Sequence, residues 1–166
     1  MSIDIEQYIK CILRPTLEDI DMYSVNSEIL LLGTFAQESQ AGTFVTQIGG
    51  GPGLGFYQEE RNSFIDIVNN YLKFRPTLVD KICSYLGYTY FPEAEHLMHD
   101  LKLQVIIARL HYKRVPYPLP EPEDLEGMAK YWKLHYNSLK GKGTEVEFLE
   151  NFNRLIAHDY RRITHR

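Results

Sequence analysis

Apolar residues recur at helical spacing along nearly the whole chain. In the first segment Ile5, Tyr8, Ile9 and Ile12 share one stripe of a helix, and Pro15 is expected to end it. The alternation of apolar and polar residues that marks a half-buried strand is not convincing anywhere. The chain is therefore predicted to be mainly α, and 166 residues are enough for one domain over its full length.

Capping residues and helix breakers divide this pattern into separate helices. The stretch "TEVE" at Thr144–Glu147 is typical of a capping box, and Gly87 suits a helix end. The four prolines of "VPYPLPEPED" predict an extended connector. After the first helix, the predicted helices run from the caps at Ser24–Ser27 to about Glu38, from Arg61 to Lys73, from Thr77 to Gly87, from Glu93 to Val115 as the longest, from Asp124 to Tyr136, and from Thr144 to about Tyr160.

Charge and cysteine content exclude several functional classes. The net charge of −4 argues against nucleic-acid binding, which needs a basic face. Cys11 and Cys83 lie in apolar helical patterns, which favours buried thiols over a disulfide, and no Cys/His spacing predicts a zinc site. No metal and no cofactor is therefore expected. The first residues, "MSIDIEQYIKCILRP", do not form a signal peptide, and no apolar run is long enough to span a membrane.

An acidic residue closes the apolar stripe of the second helix. Leu31, Phe35 and Glu38 follow i, i+4, i+7 spacing and share one face. A carboxyl group against apolar side chains loses hydration, so the pKa of Glu38 should rise toward the range of a general acid. The alternative is a solvated Glu38 on a frayed last turn, although a carboxylate at that end opposes the helix dipole.

A glycine-rich loop, "IGGGPGLG", follows this helix. It is not a phosphate loop, because no Lys-Ser or Lys-Thr follows and no strand precedes it. It is not a dinucleotide fingerprint either, since Leu54 stands where the last glycine would be when counted from Gly49 and Gly51. Two interpretations stay open: a plain flexible loop, or a loop whose backbone lines a groove for an extended ligand.

Two short motifs carry a resemblance to a known family. Glu38-Ser39 at a helix end, followed by "GLGFYQ" at Gly53–Gln58, is similar to the lysozyme-like superfamily, and within it to lytic transglycosylases and goose-type lysozymes. Their pattern is a helix ending in Glu-Ser, a loop or short hairpin, and then Gly-Leu-Met-Gln. Here Phe56 and Tyr57 stand between Gly55 and Gln58, so the spacing fits although the residues differ.

The resemblance implies a fold and a reaction. The fold would be a mainly α lysozyme-like domain, with a short hairpin within Phe44–Tyr57 or an irregular glycine-rich loop beside the groove. The reaction would be cleavage of the β-1,4 bond between N-acetylmuramic acid and N-acetylglucosamine in peptidoglycan, with Glu38 as the general acid. The substrate-binding residues would be Ser39, Gly55, Tyr57, Gln58, His111 and Tyr112.

The outcome of the reaction depends on a second carboxylate. A lysozyme uses one as nucleophile or base, whereas a lytic transglycosylase lacks it and forms a 1,6-anhydro product. Glu59 and Glu60 are the nearest acids, with Glu59 preferred because it follows Gln58; both also fit as acids at a helix N-terminus. No Asp lies between Glu38 and Gln58, which favours the single-acid transglycosylase.

Several aromatic residues have both a functional and a structural interpretation. His111 is either a groove donor or a core histidine bonded to a backbone carbonyl, and Tyr131, Trp132 and Tyr136 are expected mainly in the core or on the surface. The family's later Ala-Tyr-Asn motif has only "HYN" at 135–137 or "LHY" at 110–112 as counterparts. The basic end, "YRRITHR", is either a solvated tail or a contact for an anionic cell wall.

Longer segments, among them "IIARLHYKRVPYPLP", resemble proteins of tailed phages. That resemblance implies an endolysin or virion protein that acts on peptidoglycan glycan strands in the bacterial periplasm, reached from the virion or from the host cytoplasm by a holin-dependent route. Other virion proteins are then possible partners. The alternative is a catalytically inactive virion structural protein or wall-binding protein that keeps the fold.

Overall fold

A computed structural model describes residues 3–47, 49–137 and 141–164. The chain is mainly helical, as predicted. The α-helices are α1 (Ile5–Tyr8), α2 (Arg14–Asp19), α3 (Val25–Ser39), α4 (Arg61–Asn70), α5 (Pro76–Leu86), α6 (Leu101–Lys113), α7 (Leu125–Trp132), α8 (Glu145–Leu155) and α9 (Ala157–Thr164), with π-helical turns at Ile9–Leu13 and Lys133–Asn137, 3-10 turns at Leu72–Phe74 and Ala94–Met98, and short strands β1 (Gly53–Leu54) and β2 (Glu59–Glu60).

The N-terminal helix does not end at Pro15, so that prediction is wrong. The π-helical turn Ile9–Leu13 shifts the hydrogen-bond pattern by one residue, and the Arg14 N–H bonds to the carbonyl of Ile9. Pro15 then falls in the first turn of α2, where a missing N–H leaves no intrahelical bond unmade.

Helix α3 carries the predicted acid and matches its predicted bounds within one residue. Ser24 and Ser27 form a reciprocal capping box at its start. At its end Gln40 adopts the left-handed conformation. The Ser39 hydroxyl donates to the carbonyl of Phe35 and accepts from the Gly42 N–H, which closes the last turn. Helix α3 therefore ends at a defined point just beyond Glu38.

Four predicted helices are divided or shortened. The predicted 61–73 helix ends at Asn70 and is followed by the 3-10 turn Leu72–Phe74. The predicted 93–115 helix is a 3-10 turn followed by α6, because the Asp100 side chain caps the Leu103 N–H and begins a new helix. The predicted 144–160 helix breaks at Ile156, whose φ of −117° leaves the helical range as its side chain enters the core. The predicted 124–136 helix changes to a π-helical turn after Trp132. The capping box at Thr144 is confirmed.

Two hydrophobic clusters form the interior. The first gathers α3, α7 and α8 with the N-terminal helices, and the second gathers α4, α5 and the Ala94–Met98 turn. Helix α6 belongs to both, since Val105 and Tyr112 pack in the first while Ile106 and Leu110 pack in the second. Within the described residues, no helix combines the length and apolar character needed to cross a bilayer.

The glycine-rich segment forms a small antiparallel structure. Strand β1 pairs with β2, and Thr46 makes an isolated bridge to Leu54. The expected hairpin within Phe44–Tyr57 therefore holds only part of this pairing, because the second strand, β2, lies beyond it. Gln58, with a φ of +49°, is the last residue of the tight turn between the strands, and β2 begins at Glu59.

Two glycines allow close approach that a side chain would block. At Gly33 an added Cβ would lie 2.2 Å from the Phe148 ring, so this glycine lets α8 pack directly on α3. At Gly55 the φ is +69° and an added Cβ would lie 2.3 Å from the Leu97 carbonyl oxygen. The β1–β2 turn therefore packs against the Ala94–Met98 turn with no room for a methyl group.

Candidate active site

A cleft of about 620 Å³ opens where α3, the β1–β2 turn, α6 and the α7–α8 connection meet. Its volume falls within the range of about 300 to 1,000 Å³ of small-ligand sites. Polar side chains predominate on its walls. The lining residues are Gln37, Glu38, Gln47, Gln58, Glu59, Glu60, Ser63, His111, Trp132, Tyr136, Asn137, Gly141, Lys142 and Gly143.

Glu38 projects into this cleft from the last turn of α3. Part of the residue's surface faces the cleft, while its carboxyl group is surrounded by protein. The indole Nε1–H of Trp132 donates to Glu38 Oε1 at 2.9 Å. An indole N–H can only donate, so Oε1 acts as the acceptor and the proton of the neutral acid belongs on Oε2. Trp132 thereby decides which oxygen carries the transferable proton.

The pKa of Glu38 is raised from 4.5 to about 7. Burial is the largest cause, because a low-dielectric environment disfavours the charged form. The Trp132 hydrogen bond lowers the pKa, the negative charge of Glu59 raises it, and His111 lowers it. The predicted rise is thus present in the structure, and it gives Glu38 the proton affinity of a general acid near neutral pH.

The raised pKa of Glu38 predicts a pH-dependent stability. A carboxyl group whose folded pKa of about 7 exceeds its unfolded value of 4.5 stabilises the fold below pH 4.5, and this contribution is lost as the pH rises through 7. Glu38→Gln is neutral at every pH and lacks this loss. We therefore expect the unfolding free energy of the variant, relative to wild type, to increase by about 3 kcal/mol between pH 4 and pH 8. Urea unfolding at both pH values measures this, and a constant difference would contradict the assignment.

Glu59 and His111 form a second buried polar pair in the cleft wall. Glu59 is only 3% exposed, and its Oε1 lies 2.8 Å from Nδ1 of His111. The Tyr136 hydroxyl lies 3.0 Å from Glu59 Oε2 and 2.8 Å from the carbonyl oxygen of Tyr57. On its other side His111 Nε2 lies 3.1 Å from the carbonyl oxygen of His135. The cleft therefore presents one carboxyl group enclosed beside an indole and one held by several polar partners.

Comparison with known proteins adds no family or neighbour. No protein-family model matches the chain, and no curated protein or solved structure gives a significant match.

Of the residues predicted to bind substrate, Gln58 and His111 lie in the cleft, together with Glu38 and Glu59. Gln58 donates its amide to the carbonyl of Gly55 at 2.8 Å. Its Oε1 is buried and has no hydrogen-bond partner among the described residues. This amide oxygen is the one group of Gln58 left to accept a hydrogen bond.

The other predicted binding residues do not line the cleft. Ser39 is fully buried and caps the end of α3, and Gly55 packs against Leu97. Tyr57 is 1% exposed and its hydroxyl pairs with that of Tyr8. The Tyr112 hydroxyl lies 2.7 Å from Thr34 Oγ1 in the first cluster. The structure places these four residues in the packing that supports the cleft.

Two cleft residues, and a lysine beside the cleft, make contacts that the sequence pattern did not predict. Trp132 and Tyr136 were expected to be structural, yet Trp132 bonds Glu38 and Tyr136 bonds Glu59. Lys133 donates to Asn137 Oδ1 and to the carbonyls of Gly141 and Gly143 at 2.8, 2.7 and 2.6 Å. A signal for Trp132 existed, since it is the only tryptophan of the chain.

The two cysteines, Arg161 and Arg162 lie away from the cleft. Cys83 is buried as predicted, whereas Cys11 is exposed because the π-helical turn presents it to solvent; both are free thiols. In the basic segment, Arg161 and Arg162 are exposed on α9, and the final two residues lie outside the described part. Among the described residues, no group of His, Cys, Asp or Glu side chains could hold a metal ion.

Proposed function

We propose that this protein is a peptidoglycan-cleaving glycosidase that cuts the β-1,4 bond between N-acetylmuramic acid and N-acetylglucosamine. The observation that carries the proposal is Glu38: a carboxyl group with a pKa of about 7 in a polar cleft of about 620 Å³. The Glu-Ser and Gly–Gln motifs, which resemble those of the lysozyme-like superfamily, lie on two walls of this cleft at Glu38 and Gln58.

Glu38 supplies the proton that bond cleavage needs. The glycosidic oxygen is a poor leaving group unless it is protonated. A carboxylic acid that is neutral at the working pH can supply that proton. The Trp132 N–H on Oε1 keeps the acid proton on Oε2, from which it passes to the leaving oxygen. A carboxyl group of ordinary pKa would be ionised at pH 7 and would have no proton to give.

The state of the second carboxylate favours the single-acid mechanism. Glu59 is 3% exposed and is contacted by His111 and Tyr136, so it is poorly placed to attack the anomeric carbon or to activate water. In the transglycosylase outcome the sugar's own 6-hydroxyl closes on that carbon, and the Glu38 carboxylate recovers the proton. The proposed product is therefore a 1,6-anhydro muropeptide.

Purified peptidoglycan tests the proposal directly. We expect the protein to release muropeptides, and mass spectrometry should find ends that are lighter by one water than hydrolysed ends. Reducing muramic ends would support a muramidase in place of a transglycosylase. No release from peptidoglycan of several chemical types would contradict the proposal and support an inactive virion or wall-binding protein.

The biological setting belongs to the same proposal. The resemblance to tailed-phage proteins supports an endolysin or virion enzyme with the cell wall as its site of action, and with virion proteins or a holin as functional partners. Addition of the purified protein to permeabilised bacteria, compared with intact bacteria, tests whether it needs a route to the wall. Equal lysis of intact cells would contradict the holin-dependent route.

A further inference from the structure

The hydrogen-bond geometry places a proton on Nε2 of His111. The carbonyl oxygen of His135 can only accept, so Nε2 of His111 must carry a proton at that 3.1 Å contact. Nδ1 faces Glu59 Oε1 at 2.8 Å, and one proton must lie between these two atoms. His111 and Glu59 share that proton, so Oε1 of Glu59 is engaged by the ring whichever of the two atoms holds it.

Both oxygens of Glu59 have polar contacts. Oε1 lies 2.8 Å from His111 Nδ1, and Oε2 lies 3.1 Å from the same nitrogen. Oε2 also lies 3.0 Å from the Tyr136 hydroxyl, which shares its single proton with the Tyr57 carbonyl oxygen at 2.8 Å. The side chain is 3% exposed, so water has little access to it. A carboxyl group held by these contacts and shielded from water is poorly able to act as nucleophile or base.

His111 is held in place from several sides. Its ring stacks near Tyr136 with 4.5 Å between centroids, and its two nitrogens contact residues of the β1–β2 segment and of the Lys133–Asn137 turn. The side chain is 13% exposed. A substrate-binding histidine would need a free ring nitrogen, and neither nitrogen is free here.

We propose that His111 is a positioning residue that determines the product, since by occupying Glu59 it prevents this second carboxylate from activating water. This inference rests on the proposed glycosidase function. His111 then acts by holding Glu59, whereas the sequence predicted that His111 contacts the substrate directly. Release of Glu59 should therefore open a hydrolytic route that the wild-type protein suppresses.

The two routes balance as follows. In each, the bond from the anomeric carbon to the glycosidic oxygen breaks, and that oxygen takes the proton from Glu38. In the transglycosylase route the 6-hydroxyl oxygen bonds to the anomeric carbon and its proton returns to Glu38. In the hydrolytic route a water oxygen forms that bond, its proton passes to the released Glu59, and solvent exchange later returns a proton to Glu38.

His111→Phe tests the proposal, because it keeps a ring beside Tyr136 and removes both nitrogens. We expect the total rate to fall and the share of reducing muramic ends to rise at least tenfold over wild type, as measured by product mass. The double variant His111→Phe/Glu59→Gln is the matched control, and its products should return to anhydro ends. If His111→Phe fails to fold, Tyr136→Phe removes the hydroxyl that contacts Oε2 and should shift the products in the same direction.

Three results would overturn the inference. One is a wild-type protein that already produces reducing ends, which would leave the proposed glycosidase standing. Another is His111→Phe that produces only anhydro ends at a lower rate. The third needs no turnover: nitrogen-15 NMR that finds no proton on Nε2 of the His111 ring, where the contact with the His135 carbonyl oxygen requires one. Complete absence of cleavage by the folded wild-type protein would instead overturn the proposed function, and this inference with it.

Discussion

Glu38→Gln is expected to lower the rate of peptidoglycan cleavage by a factor of about 10² to 10⁴, with the fold intact. This range is the usual contribution of a general acid and corresponds to about 3 to 5 kcal/mol in the activation barrier. The glutamine keeps the shape of the side chain, and its amide oxygen can still accept the Trp132 N–H. What it loses is the proton that the leaving oxygen needs.

Turbidity clearing and muropeptide release measure this loss. Glu150→Gln makes the same chemical change at an exposed position on α8, outside the cleft, and should retain wild-type activity. Circular dichroism of both variants establishes that the fold is kept. Near-normal clearing by Glu38→Gln would show that Glu38 is not the acid, whatever the outcome for the control.

Gly55→Ala is expected to reduce the free energy of unfolding by about 2 to 5 kcal/mol. The left-handed backbone at Gly55, with φ of +69°, disfavours any Cβ by about 1 to 2 kcal/mol. The new methyl group would also lie 2.3 Å from the Leu97 carbonyl oxygen, and overpacking against backbone adds about 1 to 3 kcal/mol. Because the β1–β2 turn also carries Gln58, which lines the cleft, this variant should also lose activity.

Gly87→Ala separates the two causes. Gly87 has a similar φ of +76° at the end of α5, but an added Cβ would have no atom within 4 Å. This control should cost only about 1 to 2 kcal/mol, the backbone penalty alone. Denaturant unfolding of the two variants gives the comparison, and equal losses would show that the contact with Leu97 has no energetic weight.

The raised pKa of Glu38 could be predicted from sequence because its signal is local. Glu38 follows Leu31 and Phe35 on one helical face, so a few neighbouring residues were enough to predict a carboxyl group of raised pKa. Capping boxes at Ser24 and Thr144 are local for the same reason. Each of these predictions depends only on residues within two helical turns.

The partners of the site could not be predicted, because each lies far away along the chain. Trp132 is 94 residues from Glu38, and His111 is 52 residues from Glu59. Helical spacing shows that a residue faces the core, but not which distant side chain it meets there. For the same reason the pattern could not separate Tyr112 from its neighbour His111. His111 lines the cleft, whereas Tyr112 packs in the first cluster and its hydroxyl bonds to Thr34.

The points at which long helical patterns change helix type or begin a new helix were not predicted from the sequence either. The sequence predicted a helix end at Pro15, yet the chain continues through the π-helical turn Ile9–Leu13 into α2. The predicted 93–115 helix, in contrast, begins anew after Asp100. A π-helical turn and a side-chain cap both preserve the apolar face while altering the backbone. The pattern therefore predicts the face that is buried more reliably than the length of each helix.

Helix α6, shared by the two hydrophobic clusters, restricts how the cleft can move. Hinge closure requires two bodies that rotate about a thin connection, but here the element between them is packed on opposite sides by Val105 and Ile106. Rotation would strip one face of this helix from its neighbours. The cleft is therefore expected to be rigid. A long polymer would have to bind in an extended conformation, without closure of the protein around it.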